Sequence, residues 1–287
     1  MALPAPILAD LEASFGLSVM EATLLSGGCI HHTHRIHTHS GVFFLKYNHA
    51  HQAHNFEVEV KGLTLLKAAQ TIRVPEVIGT NQLETHAYIL LEFIEAGRRG
   101  SNFWEALGTG LGQLHLHSAP AFGLDHDNYI GALPQSNQRY ERWLDFFVEE
   151  RIRPMLRMGV SSRKIPQNMI KDFDRLFQRL DHFFPKESPA LIHGDLWGGN
   201  LLTSADGLPA VIDPAVYYGH REIELAFMTM FDSQPAIFYD AYQSIWPLES
   251  GWQDRFDLYN LYPLLVHVNL FGGGYLTSVR QVLRTYL

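Results

Sequence analysis

The N-terminal part of the chain alternates short apolar runs with glycine-containing polar segments. Apolar runs at 24–30 and 42–47 flank a histidine-rich stretch at 31–39. Such short runs separated by turn residues are typical of antiparallel strands. We therefore predict three consecutive strands, with Gly27 and Gly28 at the first turn and Gly41 at the second.

Two helices and two further strands complete the predicted N-terminal pattern. A short helix is expected over 7–17, and apolar residues at helical spacing predict another over 56–69. Residues 74–78 and 87–94 read as strands, and the second is nearly continuous in apolar residues. A strand with that composition is expected to be buried on both faces.

Beyond residue 94 the pattern changes to a polar, glycine-containing segment and then to helices. Apolar residues recur at helical spacing in five later segments, namely 103–117, 139–157, 168–184, 221–231 and 254–271. We predict an α+β, bilobal fold, with a small antiparallel β lobe plus helix at 1–94 and a larger, mainly helical lobe at 95–287. A ligand site is expected at the hinge between two such lobes.

Composition narrows the function classes. The 287 residues carry a formal net charge of −8 without a dense cluster of lysine and arginine, so we expect no nucleic-acid partner. No apolar run reaches the length of a membrane span, and the N-terminus does not resemble a secretion signal. Cys29 is the single cysteine, which fits a reducing compartment. These features predict a cytoplasmic protein that needs no membrane.

Three polar residues near position 200 have the spacing of a phosphotransfer site. Asp195, Asn200 and Asp213 match the loop carboxylate, the asparagine five residues later and the second carboxylate of protein-kinase-type enzymes. Short apolar runs at 201–203 and 210–212, joined across an Asp-Gly pair, predict a hairpin that returns Asp213 to Asn200. The alternative is a glycine-rich turn whose Asp and Asn only close turns.

A lysine and a glutamate in the first lobe extend this pattern. Lys46 ends the third predicted strand, where kinases keep the lysine that holds the α- and β-phosphates. Glu57 and Glu59 on the following helix are candidates to pair with it, and we prefer Glu59 because it lies nearer the apolar face. Gly27 and Gly28 could let backbone N–H groups approach phosphate oxygens, although a plain structural turn is the simpler interpretation.

The ordered set of motifs resembles the fructosamine-3-kinase family, within the protein-kinase-like fold that also holds aminoglycoside and choline kinases. The most distinctive stretch is Ile-Asp-Pro-Ala-Val-Tyr-Tyr-Gly-His-Arg-Glu at 212–222, and His-Gly-Asp-Leu-Trp at 193–197 agrees with it, as does 261–272. The resemblance covers nearly the whole chain. It implies ATP-dependent phosphorylation of the 3-hydroxyl of ketosamines, either free or on glycated protein lysines, as a deglycation repair activity.

The resemblance also implies roles for individual residues. Asp195 would orient the sugar hydroxyl and accept its proton, Asn200 and Asp213 would hold Mg²⁺, and Lys46 would steady the phosphates of ATP. Catalysis would then depend on positioning and electrostatics.

Two further contacts are expected on the same basis. The backbone of Glu92, Phe93 and Ile94 would hydrogen-bond adenine, which requires no particular side chain. Trp197 has a flat apolar face that suits a sugar or a lysine stem, and packing under the catalytic loop is its equally weighted alternative.

The chain departs from the family pattern at three places. Gly198 stands where the family usually has Ser, and Glu224 stands where it usually has Asp. Residues 232–235, Asp-Ser-Gln-Pro, replace an expected glycine-rich turn. These departures affect the expected fine specificity more than the chemistry.

The histidine-rich stretch and the cysteine invite other interpretations. His32 and His34 should point to one face of a strand and His37 and His39 to the other, so a converging metal site is disfavoured against a surface hairpin. Cys29 lies in the presumed phosphate loop, where it could be redox-sensitive or simply inert.

Other functions remain open at this point. The main alternative is an aminoglycoside or other small-amine phosphotransferase of the same fold. From a different class, the chain could be a catalytically silent kinase-like binding module or a histidine-rich metal or redox sensor. The preference between ribulosamine and fructosamine and the oligomeric state lie beyond the sequence.

Overall fold

The structure of the protein is a computed structural model that describes residues 3–25 and 30–287. Gly27, Gly28 and Cys29, which the sequence analysis singled out, lie outside the described residues. The N-terminal elements are α1 (Ala5–Phe15), β1 (Val19–Leu24), β2 (His32–Thr38), β3 (Gly41–His49), α2 (Ala53–Ala69), β4 (Val77–Gln82) and β5 (His86–Glu92).

These five strands form one antiparallel sheet in the order β1-β2-β3-β5-β4. Three consecutive antiparallel strands are present as predicted, but the first, β1, lies before the apolar run at 24–30 and ends at Leu24. The strand expected from residue 74 begins instead at Val77, because Pro75 has no N–H to donate to a ladder. Helix α1 packs Ile7 and Leu11 against buried sheet residues such as Leu45, which closes one face of the sheet.

The later part of the chain is mainly helical. Its elements are α3 (Phe103–His115), β6 (Asn128–Ile130), β7 (Leu133–Gln135), α4 (Trp143–Phe146), α5 (Arg153–Ser161), α6 (Met169–Phe177), β8 (Ala190–Ile192), β9 (Leu201–Thr203), β10 (Pro209–Val211), β11 (Tyr217–Gly219), α7 (Glu222–Met228), α8 (Ala236–Ile245), α9 (Trp252–Phe271) and α10 (Gly274–Tyr286). A π-helical segment, Phe147–Ile152, joins α4 to α5. The sequence analysis did not predict α8 or α10.

The chain forms two compact units. Unit 1 comprises the residues up to Phe103 together with Gly199–Pro214, and unit 2 comprises Trp104–Gly198 and Ala215–Leu287. The hairpin β9–β10 therefore belongs with the N-terminal sheet, although the sequence analysis assigned residues 95–287 to one lobe. Isolated bridges between Ala96 and Ser204 and between Arg73 and Ala210 explain this grouping.

The histidine-rich strand β2 differs from the expected surface hairpin, because His34, Ile36 and Thr38 are buried. His34 is fully buried, and both His32 and His34 stack on Tyr47, with ring centroids 5.0 and 5.6 Å away. No group of three or more metal-binding side chains occurs among the described residues. Within the same residues, no helix is both long and apolar enough to cross a bilayer.

Candidate active site

Lys46 is a buried lysine of unit 1. It lies on β3 and is only 4% exposed, and its Nζ donates to Glu59 Oε1 at 2.8 Å and to Asp213 Oδ1. Burial disfavours the charge, but the two carboxylates outweigh it and raise the pKa of Lys46. The ammonium therefore stays charged, although burial by itself would lower its pKa.

Glu59 is the glutamate that the structure brings to Lys46. Helix α2 turns Glu59 inward, where its side chain is 11% exposed, whereas Glu57 points outward and lies 3.3 Å from His54 Nδ1. Burial raises the pKa of Glu59 to about 7 against the attraction of Lys46. The expected ion pair is thus present with the residue preferred from the helical pattern.

The hairpin of β9 and β10 brings Asp213 back to Asn200. Thr203 pairs with Pro209 and Leu201 with Val211, and Ile212 N–H donates to the carbonyl of Asn200 at 3.1 Å. Asn200 is buried, whereas the side chain of Asp213 is 43% exposed. Asp213 has a φ of +54°, a left-handed conformation that a non-glycine residue adopts at a cost.

The segment after β5 is the expected adenine contact. Glu92 is committed to the protein itself, since its N–H donates to Glu76 O at 2.8 Å and its carboxylate accepts from Arg73 at 2.6 Å. Ile94 is buried, and the guanidinium of Arg35 lies 4.8 Å from the ring centroid of Phe93. A donor to adenine in this segment would therefore come from Phe93 or Ile94.

Asp195 lies in unit 2, in the loop between β8 and the 3₁₀ turn at Gly198–Asn200. Its N–H lies 3.3 Å from His193 Nδ1, and His193 O accepts from Ala215 N at 2.9 Å. Gly194 has a φ of +84°, and a Cβ there would lie 2.1 Å from Ala215 O. Only glycine fits this close approach, which shapes the loop in front of Asp195.

Glu224 on α7 holds this loop from behind. Its carboxylate accepts the N–H groups of His193 at 3.1 Å and Gly194 at 2.8 Å, and it lies 3.0 Å from His115 Nε2. Burial alone would raise the pKa of Glu224, but the hydrogen bonds and the neighbouring histidines outweigh it, so the pKa is lowered. Tyr242 OH completes the network 2.7 Å from His115 Nδ1.

The sequence analysis missed His115 and treated Glu224 only as a departure from the family pattern. His115 stands at the end of α3 among apolar residues, 109 positions before Glu224. Nothing in the spacing of the sequence joins the two. The one signal in the sequence was the carboxylate of Glu224 two residues after the motif at 212–222, and only the structure shows that every residue of its helix is buried.

Trp197 is exposed rather than packed under the loop. Its side chain is 39% exposed and meets Phe231 edge-on, with ring centroids 5.8 Å apart. Phe231 in turn lies 5.4 Å from His267, which lines a recess of about 30 Å³ together with Asp195. We call the row Trp197, Phe231 and His267 the aromatic row.

Comparisons with known proteins show which family the chain resembles. The model of a family described as fructosamine kinase matches residues 7–287. The chain is 40% identical to a candidate ketoamine kinase of Synechocystis sp., over 94% of this chain and 91% of that protein. It is also 35% identical to the chloroplastic protein-ribulosamine 3-kinase of Arabidopsis thaliana, over 92% of this chain and 81% of the relative.

Solved structures agree with these relatives. A candidate fructosamine-3-kinase of Thermobifida fusca superposes with a TM-score of 0.87 at 32% identity, covering 98% of both chains. One from Haemophilus somnus gives a TM-score of 0.88 at 28% identity, over 98% of this chain and 96% of the other. An aminoglycoside phosphotransferase at 16% identity, with a TM-score of 0.63, covers 98% of this chain and 96% of its own and shares the fold alone, which is protein-kinase-like.

Proposed function

Because the chain belongs to the fructosamine kinase family, we propose that it transfers the terminal phosphoryl group of ATP to the 3-hydroxyl of a ketosamine. Membership makes it a ketoamine kinase, a phosphotransferase that acts on a hydroxyl group. The observation that carries the proposal is Lys46, a buried ammonium held by Glu59 and Asp213. This arrangement is the one a kinase needs to aim a cation at phosphate.

The residues of unit 1 suit the nucleotide. In the proposal Lys46 steadies the α- and β-phosphates, and the backbone of Phe93 and Ile94 contacts adenine. Asn200 and Asp213 offer oxygen ligands, and a pair of protein ligands suits Mg²⁺, which usually keeps waters and substrate phosphates in its shell. Mg²⁺ would neutralise phosphate charge when bound.

The residues of unit 2 suit the acceptor. We assign Asp195 the orientation of the sugar hydroxyl and the acceptance of its proton as transfer proceeds. Glu224 and His115 keep the backbone around Asp195 in one conformation. Trp197 offers an exposed aromatic face to the sugar or to the stem of the modified amine.

The substrate class is the finer part of the proposal. The resemblance of the chain to a protein-ribulosamine 3-kinase supports ketosamines on protein lysines as well as free adducts. Phosphorylation at the 3-hydroxyl prepares such an adduct to break down and release the amine, so the physiological role would be deglycation. The aminoglycoside phosphotransferase neighbours supply no observation that favours their substrates here.

The test is phosphoryl transfer from Mg-ATP to synthetic ribulose-lysine and fructose-lysine, with the product located by ³¹P NMR. We expect turnover with phosphate on the 3-hydroxyl. Asp195→Asn should lower kcat by about two to four orders of magnitude, because general-base positioning is lost. Asp125→Asn, which changes an exposed carboxylate of the same unit, should match the wild type. Absence of turnover on both sugars would refute the proposal.

A further inference from the structure

The turn that follows α7 lies against the catalytic loop within unit 2. Phe231 contacts Trp197, and the next residue, Asp232, lies beside Gly198. A Cβ built on Gly198 would stand 3.0 Å from Asp232 Oδ2, and among the described residues no other atom outside positions 197–199 lies within 4 Å of it. Because Gly198 has no side chain, a space remains next to the carboxylate of Asp232.

Hydrogen bonds hold this turn in one shape. Gln234 Nε2 donates to Met228 O at 3.0 Å and to Asp232 O at 3.1 Å. Tyr239 OH donates to Gln234 Oε1 at 3.2 Å. The position of the Asp232 backbone is thus fixed by neighbours on both sides of the turn.

The turn is next to the proposed reaction residues. The aromatic row connects Trp197 through Phe231 to His267, which lines the recess with Asp195. Trp197, Phe231 and Asp232 are exposed side chains of the surface that adjoins this recess.

The carboxylate of Asp232 is available to a ligand. It is solvent-exposed, and no lysine, arginine or histidine among the described residues forms an ion pair with it.

We propose that Asp232 is a specificity-determining residue that favours ketosamines whose amine portion carries a second positive charge, such as adducts of lysine or of a diamine. The inference rests on the proposed function, since it assigns the outer part of the same acceptor site. The stem of the amine would lie on Trp197 and its distal ammonium beside Asp232. Gly198 leaves the room that this contact requires.

Simple electrostatics sets the size of the effect. An exposed carboxylate and an ammonium in contact favour binding by about three- to fivefold. Salt screens such a pair, so the preference should weaken at high ionic strength. A ligand with a carboxylate in place of the ammonium should be disfavoured for the same reason.

The experiment uses ribulose adducts of three amines of equal chain length, namely 1,5-diaminopentane, pentylamine and 6-aminohexanoate. We expect kcat/KM to fall in that order for the wild type, by about three- to fivefold between the first two, mainly through KM. Asp232→Asn should bring the ratio close to one. Asp232→Lys should invert the order, and 0.5 M NaCl should compress it.

Matched controls separate this role from a structural one. Asp240→Asn, which removes a carboxylate from α8 outside the turn, should keep the wild-type ratio. The proposal is overturned if the wild type treats all three adducts alike, or if Asp232→Asn lowers all three equally.

Binding separates this inference from the proposed function. The affinity of each adduct is measured by calorimetry in parallel with turnover. If the wild type phosphorylates none of the adducts, the proposed function fails. An affinity order that depends on Asp232 would then still support the charge contact, and an equal affinity for all three would overturn it.

Discussion

Each unit contains a buried charged cluster, and the two clusters differ in whether charge remains accessible. In unit 1, Lys46 lies between Glu59, whose side chain is 11% exposed, and Asp213, which is 43% exposed. In unit 2, Glu224 and His115 are both completely buried. The first cluster is open to a ligand on its Asp213 side, whereas the second is closed.

This difference separates binding from positioning. The two carboxylate oxygens of Glu224 accept from the N–H groups of His193 and Gly194 and lie against His115. All of these contacts hold the loop in place. Asp213 accepts from Lys46 and still presents part of its carboxylate to solvent. We therefore expect changes in unit 1's cluster to affect activity first, and changes in unit 2's cluster to affect stability first.

The largest expected effect follows from removing the open cluster's cation. Lys46→Met should lower kcat/KM for Mg-ATP by about two to three orders of magnitude, because the positive charge aimed at phosphate is lost. Lys67→Met is the matched control, since Lys67 forms an exposed pair with Glu76 in the same unit. Steady-state kinetics should show the control at the wild-type value, and a Lys46→Met enzyme with normal kinetics would contradict the assigned role.

A substitution in the closed cluster of unit 2 should lower the stability of the protein. Glu224→Gln replaces a carboxylate that accepts from three donors by an amide that can accept with one oxygen only. We expect the free energy of unfolding to fall by about 3 kcal/mol, the usual cost of breaking a buried charged pair. Urea denaturation measures it.

A milder variant calibrates this result. Tyr242→Phe removes one hydrogen bond to His115 and should cost about 1 kcal/mol. An unfolding midpoint for Glu224→Gln equal to that of the wild type, with activity lost, would mean that Glu224 acts on the reaction rather than on the loop.

A buried neutral base, His220, gives an effect on stability that appears only as the pH is lowered. Burial lowers the pKa of His220 to about 4, although Glu187 lies 3.5 Å away and favours the charged form, while Arg221 and Arg255 oppose it. Tyr259 OH lies 3.1 Å from its Nδ1. Between pH 6.5 and 4 the unfolded chain binds a proton at this histidine that the folded chain does not, so stability falls as the pH is lowered.

The expected loss of stability follows from the difference between the pKa of His220 in the unfolded chain, about 6.5, and in the folded chain, about 4. From pH 7 to pH 5 His220 should account for about 2 kcal/mol of lost stability. His220→Gln should remove this part of the pH dependence, and His39→Gln, at an exposed position, should not. Tryptophan fluorescence can follow unfolding, because Trp143 packs 5.9 Å from His220. An identical pH dependence in all three proteins would show that His220 is not the source.

Local signals predicted part of the site and long-range contacts supplied the rest. The Asp-Gly pair predicted the β9–β10 hairpin, and helical periodicity favoured Glu59 over Glu57. Both predictions were possible because turns and helix faces depend on residues that are close together in the sequence. The contact of His115 with Glu224 joins positions with no such periodic relation. The approach of Asp232 to Gly198 likewise depends on how α7 packs, which a sequence pattern does not specify.

The grouping of Gly199–Pro214 with the N-terminal sheet has a consequence for synthesis of the chain. Unit 1 is assembled from two stretches, so it cannot be complete when residue 103 leaves the ribosome. The partners of Arg73 and Ala96 in the bridges to β10 and Ser204 come only after about a hundred further residues have been made. A fragment cut at residue 103 would lack them, together with Asn200 and Asp213, so it would not contain the whole of unit 1.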